Sequence, residues 1–222
     1  MARLDQAVIR TDRRGIEINR VLKNTYMLLA MTLLFSGAAA GVAMAVNMPH
    51  LGIIPTLIGY FALLFLTQKF RNSSLGILFV FLFTGFMGLT LGPILNVYLL
   101  SVGNGPQLVM MALGGTGVIF LGLSAYALVT RKDFSFLGGM LFMGILVAFI
   151  AGLVAILFSI PALSLAVSAM FILLMSGLIL FQTSAIIHGG ETNYIMATVT
   201  LYLTIYNLFL SLLHIFGIFG DD

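Results

Sequence analysis

Hydrophobic residues run along this chain in long stretches, and polar or charged residues concentrate before the first stretch and in the short connections. Most of the stretches reach the roughly 20 residues that an α-helix needs to cross the hydrocarbon core of a bilayer. Inside lipid, a helix satisfies its backbone hydrogen bonds within its own segment, and the alternating pattern of a transmembrane β-barrel is missing here. The pattern predicts seven transmembrane helices, at about residues 25–46, 52–68, 75–100, 108–129, 136–158, 162–187 and 194–219.

The composition agrees with this prediction. Of 222 residues, 61% are hydrophobic and 8% are charged, whereas soluble domains carry about 25% charged residues. A soluble core of this size could not bury so much apolar surface, so the excess requires a lipid bilayer. We therefore predict an all-α, polytopic membrane protein with a basic tail at residues 1–24, a seven-helix domain at 25–219 and a short C-terminal end at 220–222.

The ten basic residues set the predicted orientation. Six of them lie in the tail, and the other four (Lys69, Arg71, Arg131 and Lys132) lie in connections on the same side of the predicted bundle. The positive-inside rule makes that side cytoplasmic. Seven crossings then place the C-terminus on the outer side of the membrane, unless the last segment re-enters. Because the charges follow topology, the net charge of +3 does not indicate a nucleic-acid partner. No apolar region precedes residue 25, so no cleavable signal peptide is predicted.

The last predicted helix carries a polar face. Its polar residues follow one another at spacings of four, three, four and three, which places them on one side of a helix. Such a face avoids lipid, so we expect this helix to lie centrally, with Gln182 of the sixth helix as its partner across the bundle. Two interpretations stay open: a hydrated pathway, or hydrogen bonding between helices. The face consists of Thr200, Thr204, Asn207, Ser211 and His214.

Glycine and proline mark further positions inside the bundle. Gly37 with Gly41, and Gly88 with Gly92, have the GxxxG spacing that lets helix backbones approach closely, either within the chain or between two copies of it. Gly92 and Pro93 interrupt the third stretch. They predict either a simple kink or a broken helix whose freed carbonyl faces a polar cavity.

The pattern does not indicate an enzyme. The chain has no cysteine, which excludes disulfides, thiolate metal sites and a cysteine nucleophile. No aspartate or glutamate lies deep in a predicted helix, and no catalytic constellation or cofactor motif is seen. His188 and Glu191 could ligate a metal, but their glycine-rich connection is better explained as a helix C-cap followed by an N-cap at Thr192 or Asn193.

Several ordered motifs resemble a known family. In chain order they are TGF at 84–86, LGPILN at 91–96, the run from Ser124 to Gly139, and IHGGETNY at 187–194. Their order and spacing resemble the Bax inhibitor-1 family, and within it the bacterial modulators of the FtsH protease. The resemblance covers about residues 20–219.

This resemblance implies a seven-helix fold and association with FtsH, a membrane-anchored ATP-dependent protease. Family members of this kind restrain the protease and are themselves slow substrates, engaged through a cytoplasmic N-terminal tail. The resemblance therefore assigns protease engagement to the tail, whose arginines are Arg3, Arg10, Arg13, Arg14 and Arg20.

Other members of the wider family are calcium leak channels, gated by an acidic pair in the last two helices. The matching positions here are Gln182 and Thr204, and neither side chain ionises. A pH-gated leak is therefore not expected, although the cation channel remains the alternative function. Calcium flux into liposomes that contain only this protein would separate the two hypotheses.

Overall fold

The computed structural model describes residues 2–101 and 103–220, with side chains from residue 16 onward except at Ser101. Within these residues it contains seven α-helices, one 3-10 turn at Ser135–Leu137 and no strand, which confirms the all-α prediction. Six helices are long and apolar enough to cross a membrane, and the second is shorter at 17 residues. The helices are α1 (Ala2–Ala45), α2 (Ile53–Lys69), α3 (Ser74–Ser101), α4 (Gly105–Thr130), α5 (Gly138–Leu157), α6 (Pro161–Ile187) and α7 (Tyr194–Phe219).

The N-terminal segment is part of the first helix. Residues 2–24 form the first half of α1, which continues without a break to Ala45. Charged and polar residues such as Arg, Glu and Gln are good helix formers, so a helix need not stop where hydrophobicity stops. Of the tail arginines, only Arg20 has a described side chain, and it is exposed. The side chains of Arg3, Arg10, Arg13 and Arg14 lie outside the described part.

The bundle is built around α7. This helix packs against α6, α4 and α1, while α3 packs on α1, α2 packs on α3, and α5 packs on α6. Thirteen residues of α7 are buried, among them Tyr202 at 1% exposure. The expectation that the last helix lies centrally is therefore met.

The two ends of the bundle are formed by different segments. At one end, here called the basic end, lie residues 16–24 of α1 and the loops at 70–73, 131–134 and 188–193. At the opposite end, Asn104 Nδ2 donates a hydrogen bond to the carbonyl of Gly220, 2.9 Å away. Since α7 starts in the basic end and finishes beside Asn104, it runs the length of the bundle and does not turn back.

The contact between α1 and α3 depends on glycine. A Cβ atom at Gly88 would meet the backbone carbonyl of Ser36, and one at Gly92 would meet Ala43 and the carbonyl of Ala40. One GxxxG pair therefore serves packing within the chain. By contrast, a Cβ atom at Gly37 would meet nothing within 4 Å, and the same holds for Gly41.

Pro93 does not break its helix. Helix α3 runs as one element from Ser74 to Ser101 with Pro93 inside it, so of the two interpretations the helix break at Gly92 and Pro93 is wrong. Packing of Gly92 on α1 holds the helix in place on one side of the proline. The carbonyl of Leu89, four residues earlier, still lacks the N–H that proline cannot supply.

Candidate functional site

The loop between α6 and α7 organises the basic end. Asn193 is the N-cap of α7, since its Oδ1 accepts a hydrogen bond from Met196 N at 3.1 Å. Its Nδ2 donates to the carbonyl of Arg71 at 3.0 Å and to Asn72 Oδ1 at 2.8 Å. One side chain therefore starts α7 and fixes the α2–α3 loop beside it.

Ser184, in the last turn of α6, makes the equivalent link to the α4–α5 loop. Its hydroxyl donates to the carbonyl of Lys132 at 3.1 Å and accepts a hydrogen bond from Phe134 N at 3.0 Å. The side chain is 1% exposed, so these bonds are shielded from water. Together, Ser184 and Asn193 tie three loops of the basic end into one surface.

The end of α6 follows the expected glycine C-cap. Gly189 has φ of +75°, a conformation that glycine adopts without a steric cost. Gly190 N then donates to the carbonyl of Ala185 at 2.8 Å, which satisfies one of the last carbonyls of the helix. Glu191 Oε1 accepts a bond from Asn193 N at 2.8 Å, so this carboxylate supports the turn. Within the described residues, no group of three or more potential metal ligands is found.

Asp133, in the α4–α5 loop, stays ionised at neutral pH. Its Oδ1 accepts a hydrogen bond from Ser135 N at 2.8 Å. This bond, with a second from the Ser135 hydroxyl, holds the pKa of Asp133 below its ordinary value, and nearby His188 contributes in the same direction. The basic end thus carries a fixed negative charge next to an imidazole.

A groove separates the N-terminal half of α1 from the α6–α7 loop. Its volume is about 670 Å³. Glu17 and Arg20 of α1 lie on one wall, and His188 and Glu191 lie on the other. Both signs of charge therefore line the groove, with the carboxylates of Glu17 and Glu191 and the guanidinium of Arg20. Residues 17–24 of α1 and the α6–α7 loop are called the basic-end groove below.

Replacing Asn193 should separate two roles of this side chain. We expect Asn193→Ala to lower the free energy of unfolding by about 1–2 kcal/mol, because it removes both the N-cap and the link to Arg71. Asn193→Asp keeps a capping oxygen and removes the Nδ2 donor, so it should cost less. Thermal unfolding of the purified protein in detergent measures both. An equal loss of stability in the two variants would mean that the N-cap contributes nothing to the free energy of unfolding.

Side chains of the polar face of α7 form hydrogen bonds mostly with carbonyls of their own helix. The hydroxyl of Thr204 donates to the carbonyl of Thr200 at 2.7 Å, and Asn207 Nδ2 donates to the carbonyl of Leu203 at 2.8 Å. Thr204 and Ser211 are buried, whereas the other three members of the face are half-buried. Intrahelical bonding of this kind satisfies the polar groups without a hydrated pathway.

Gln182 is not the partner of this face. It is 5% exposed, and its Nε2 has no hydrogen-bond partner within the described part of the chain. The bond between α6 and α7 is made elsewhere, by Ser168 Oγ and His214 Nδ1 at 2.7 Å. The expected pairing was wrong because spacing along one helix identifies a face but does not identify the residue opposite.

Two further interhelical bonds have no signal in the sequence. Ser36 Oγ and the Tyr202 hydroxyl lie 2.6 Å apart and join α1 to α7. The hydroxyls of Tyr26 and Thr183 lie 3.3 Å apart and join α1 to α6. Each pair combines residues more than 150 positions apart, which no local pattern reveals.

Comparison with known proteins identifies the family. A family model described as inhibitor of apoptosis-promoting Bax1 matches residues 18–221, nearly the whole chain. The chain belongs to this family, the Bax inhibitor-1 family. The match includes the loop at 188–193 and all seven helices, with α1 from residue 18 onward.

Bacterial relatives cover the same length. A protein of Escherichia coli K12 named modulator of FtsH protease YccA is 54% identical over 207 residues, which are 93% of this chain and 94% of the relative. An E. coli O6:H1 protein named inner membrane protein YccA has the same identity and coverage. An uncharacterized protein of Pseudomonas aeruginosa is 54% identical over 206 residues, which are 93% and 92% of the two chains. This family member is therefore a multi-pass protein of the inner membrane.

Proposed function

We propose that this protein binds the membrane-anchored protease FtsH and restrains its degradation of membrane substrates. The observation that carries the proposal is 54% identity, over 93% of the chain, to a protein named for modulation of FtsH. The described residues contain no cluster of potential metal ligands, and the sequence contains no catalytic constellation. The proposed role is that of a binding protein that modulates the protease.

The basic-end groove supports this role. Exposed large hydrophobic residues are common along the helices, as expected of a surface that faces lipid. A cytoplasmic protease domain would instead meet the loops tied together by Ser184 and Asn193. The groove beside them presents the carboxylates of Glu17 and Glu191 and the guanidinium of Arg20. Charged groups on a rigid surface favour recognition of one partner over others.

Copurification from membranes tests the proposal. We expect tagged protein to retain FtsH and to slow its degradation of a membrane substrate in reconstituted vesicles. Arg20→Glu, in the groove, should weaken retention by about fivefold or more, because truncating or reversing a contact charge commonly costs 1 kcal/mol or more. Arg131→Glu is the matched control, since Arg131 is exposed at the same end outside the groove. Failure of the unmodified protein to retain FtsH would refute the proposal.

The proposed orientation places the basic end in the cytoplasm. The ten basic residues lie in the segment up to residue 24, at the junction of α2 with its loop to α3, and in the α4–α5 loop, and cytoplasmic segments are enriched in Lys and Arg. Reporter fusions at the two termini should therefore give a cytoplasmic signal at the N-terminus and a periplasmic signal at the C-terminus. A cytoplasmic signal at both termini would show that one helix, with α2 as the shortest, does not cross.

The alternative function, a calcium or cation leak, has less support. The two positions that match the acidic pair of channel-type relatives are Gln182 and Thr204, and Thr204 is already bonded to the carbonyl of Thr200. Neither group titrates near neutral pH. A large calcium flux into protein-only liposomes that changes between about pH 6 and pH 8 would favour the channel over the modulator.

A further inference from the structure

A second cavity lies between α2, α3 and α7, near the end opposite the groove. Its volume is about 500 Å³. The loop that precedes α2 forms its mouth, with His50 and Gly52, and Tyr60 and Tyr206 line it deeper in the bundle. Tyr60 lies seven residues into α2, which corresponds to about 11 Å along the helix axis. The cavity therefore reaches from the end of the bundle toward its interior.

Pro93 removes a hydrogen-bond donor at the wall of this cavity. Both Pro93 and Leu89 line the cavity. The carbonyl of Leu89 would receive its helical hydrogen bond from the residue at position 93, but proline has no N–H. A carbonyl that has lost this donor in apolar surroundings gains from another one, so a bound donor at this wall would be stabilised.

Tyr60 adds a second group that lacks a partner. Its ring packs against the buried ring of Phe83, with centroids 5.6 Å apart, so the side chain is held in place. Among the residues that the structure describes, no hydrogen bond reaches the Tyr60 hydroxyl. This hydroxyl can donate or accept, whereas the Leu89 carbonyl can only accept.

The remaining lining indicates an uncharged ligand. Met87, Ile94 and Leu210 provide apolar walls, and no Asp, Glu, Lys or Arg lines the cavity. A pocket of several hundred Å³ with apolar walls and a few polar groups is typical of small-molecule sites. Charged ligands would lose their hydration here without gaining a counter-charge.

We propose that this cavity binds an uncharged, hydrophobic molecule that carries one hydroxyl group, such as an alkylated phenol or alcohol. The ligand hydroxyl donates to the Leu89 carbonyl and accepts a hydrogen bond from Tyr60. Its hydrocarbon part packs against Met87, Ile94 and Leu210. The site is separate from the basic-end groove and does not depend on FtsH.

Photolabelling in detergent tests the site with a defined probe. The full-length protein is labelled with a 4-alkylphenol that carries a diazirine, and 4-hexylphenol or its methyl ether, 4-hexylanisole, competes. We expect adducts within residues 49–60 and 87–94, and competition about fivefold stronger by the phenol than by the ether, because only the phenol can donate. Equal competition by the two compounds, or labelling spread evenly over lipid-facing helices, would overturn the proposal.

Two variants assign the hydrogen bonds. Pro93→Ala restores a backbone N–H for the Leu89 carbonyl, so the preference for the phenol over the ether should fall from about fivefold toward one. Tyr60→Phe removes only a hydroxyl and should weaken competition by the phenol twofold to fivefold. It also tests the site if Pro93→Ala does not elute as a folded protein. Tyr126→Phe, at the basic end, is the control and should change nothing. An unchanged preference in Pro93→Ala, together with unchanged competition by the phenol in Tyr60→Phe, would refute the assignment.

Discussion

Deleting residues 2–15 should lengthen the half-life of this protein several-fold in cells that contain active FtsH. ATP-dependent proteases begin at exposed terminal segments, and this deletion removes the start of α1. It leaves Glu17 and Arg20 in the basic-end groove, so binding to FtsH should persist while degradation slows. Pulse-chase labelling measures the half-life, and copurification measures the binding.

The control for this deletion keeps the length and changes the sequence. Replacing residues 2–15 with a Gly-Ser segment of equal length should leave degradation close to that of the unmodified protein if length and accessibility decide engagement. In cells without FtsH, all three forms should have the same lifetime. If the deleted form decays as fast as the full chain when FtsH is present, the N-terminal segment is not the site of engagement.

Gly88→Ala should lower the free energy of unfolding by about 2 kcal/mol, as expected for an added methyl group in a tightly packed interface. The new Cβ atom would meet the backbone carbonyl of Ser36, and backbone cannot move aside as a flexible side chain can. For a chain of this size, that loss corresponds to a melting temperature lower by about 4–8 °C. Thermal unfolding followed by circular dichroism in detergent measures it.

Gly37→Ala is the matched control. Both glycines lie inside helices and begin a GxxxG pair, so each substitution brings the same gain in helix propensity, up to about 1 kcal/mol. A Cβ atom at Gly37 meets nothing within 4 Å, so this variant should be as stable as the unmodified protein or slightly more so. Similar melting temperatures for the two variants would show that α1 and α3 are not in close contact at Gly88.

The limits of the helices were largely predictable from hydrophobicity. The predicted segments 162–187 and 194–219 agree with α6 and α7 to within one residue. The start of α1 was not predictable in this way. Hydrophobicity indicates where a helix enters lipid, but it does not indicate how far the same helix extends into water. The sequence left a kink and a break open at Pro93 for a related reason: whether a proline breaks a helix depends on the packing around it, here that of Gly92 against Ala40 and Ala43.

The candidate site was predictable only in outline. The residues from His188 to Asn193 were recognised as a C-cap followed by an N-cap, since both are local structures with local residue preferences. The bonds from Asn193 to Arg71 and from Ser184 to Lys132 span loops far apart in sequence, so no local pattern contains them. The same applies to Gln182, whose neighbours are decided by how the helices rotate against one another.

The continuity of α1 has a mechanical consequence. Because one helix runs from Ala2 to Ala45, a pulling force applied at the N-terminus acts along the axis of the first membrane span and not on a slack tether. Withdrawing that span requires breaking the Ser36–Tyr202 bond and shearing α1 away from Gly88. The first step of extraction would then act directly on packed contacts between helices.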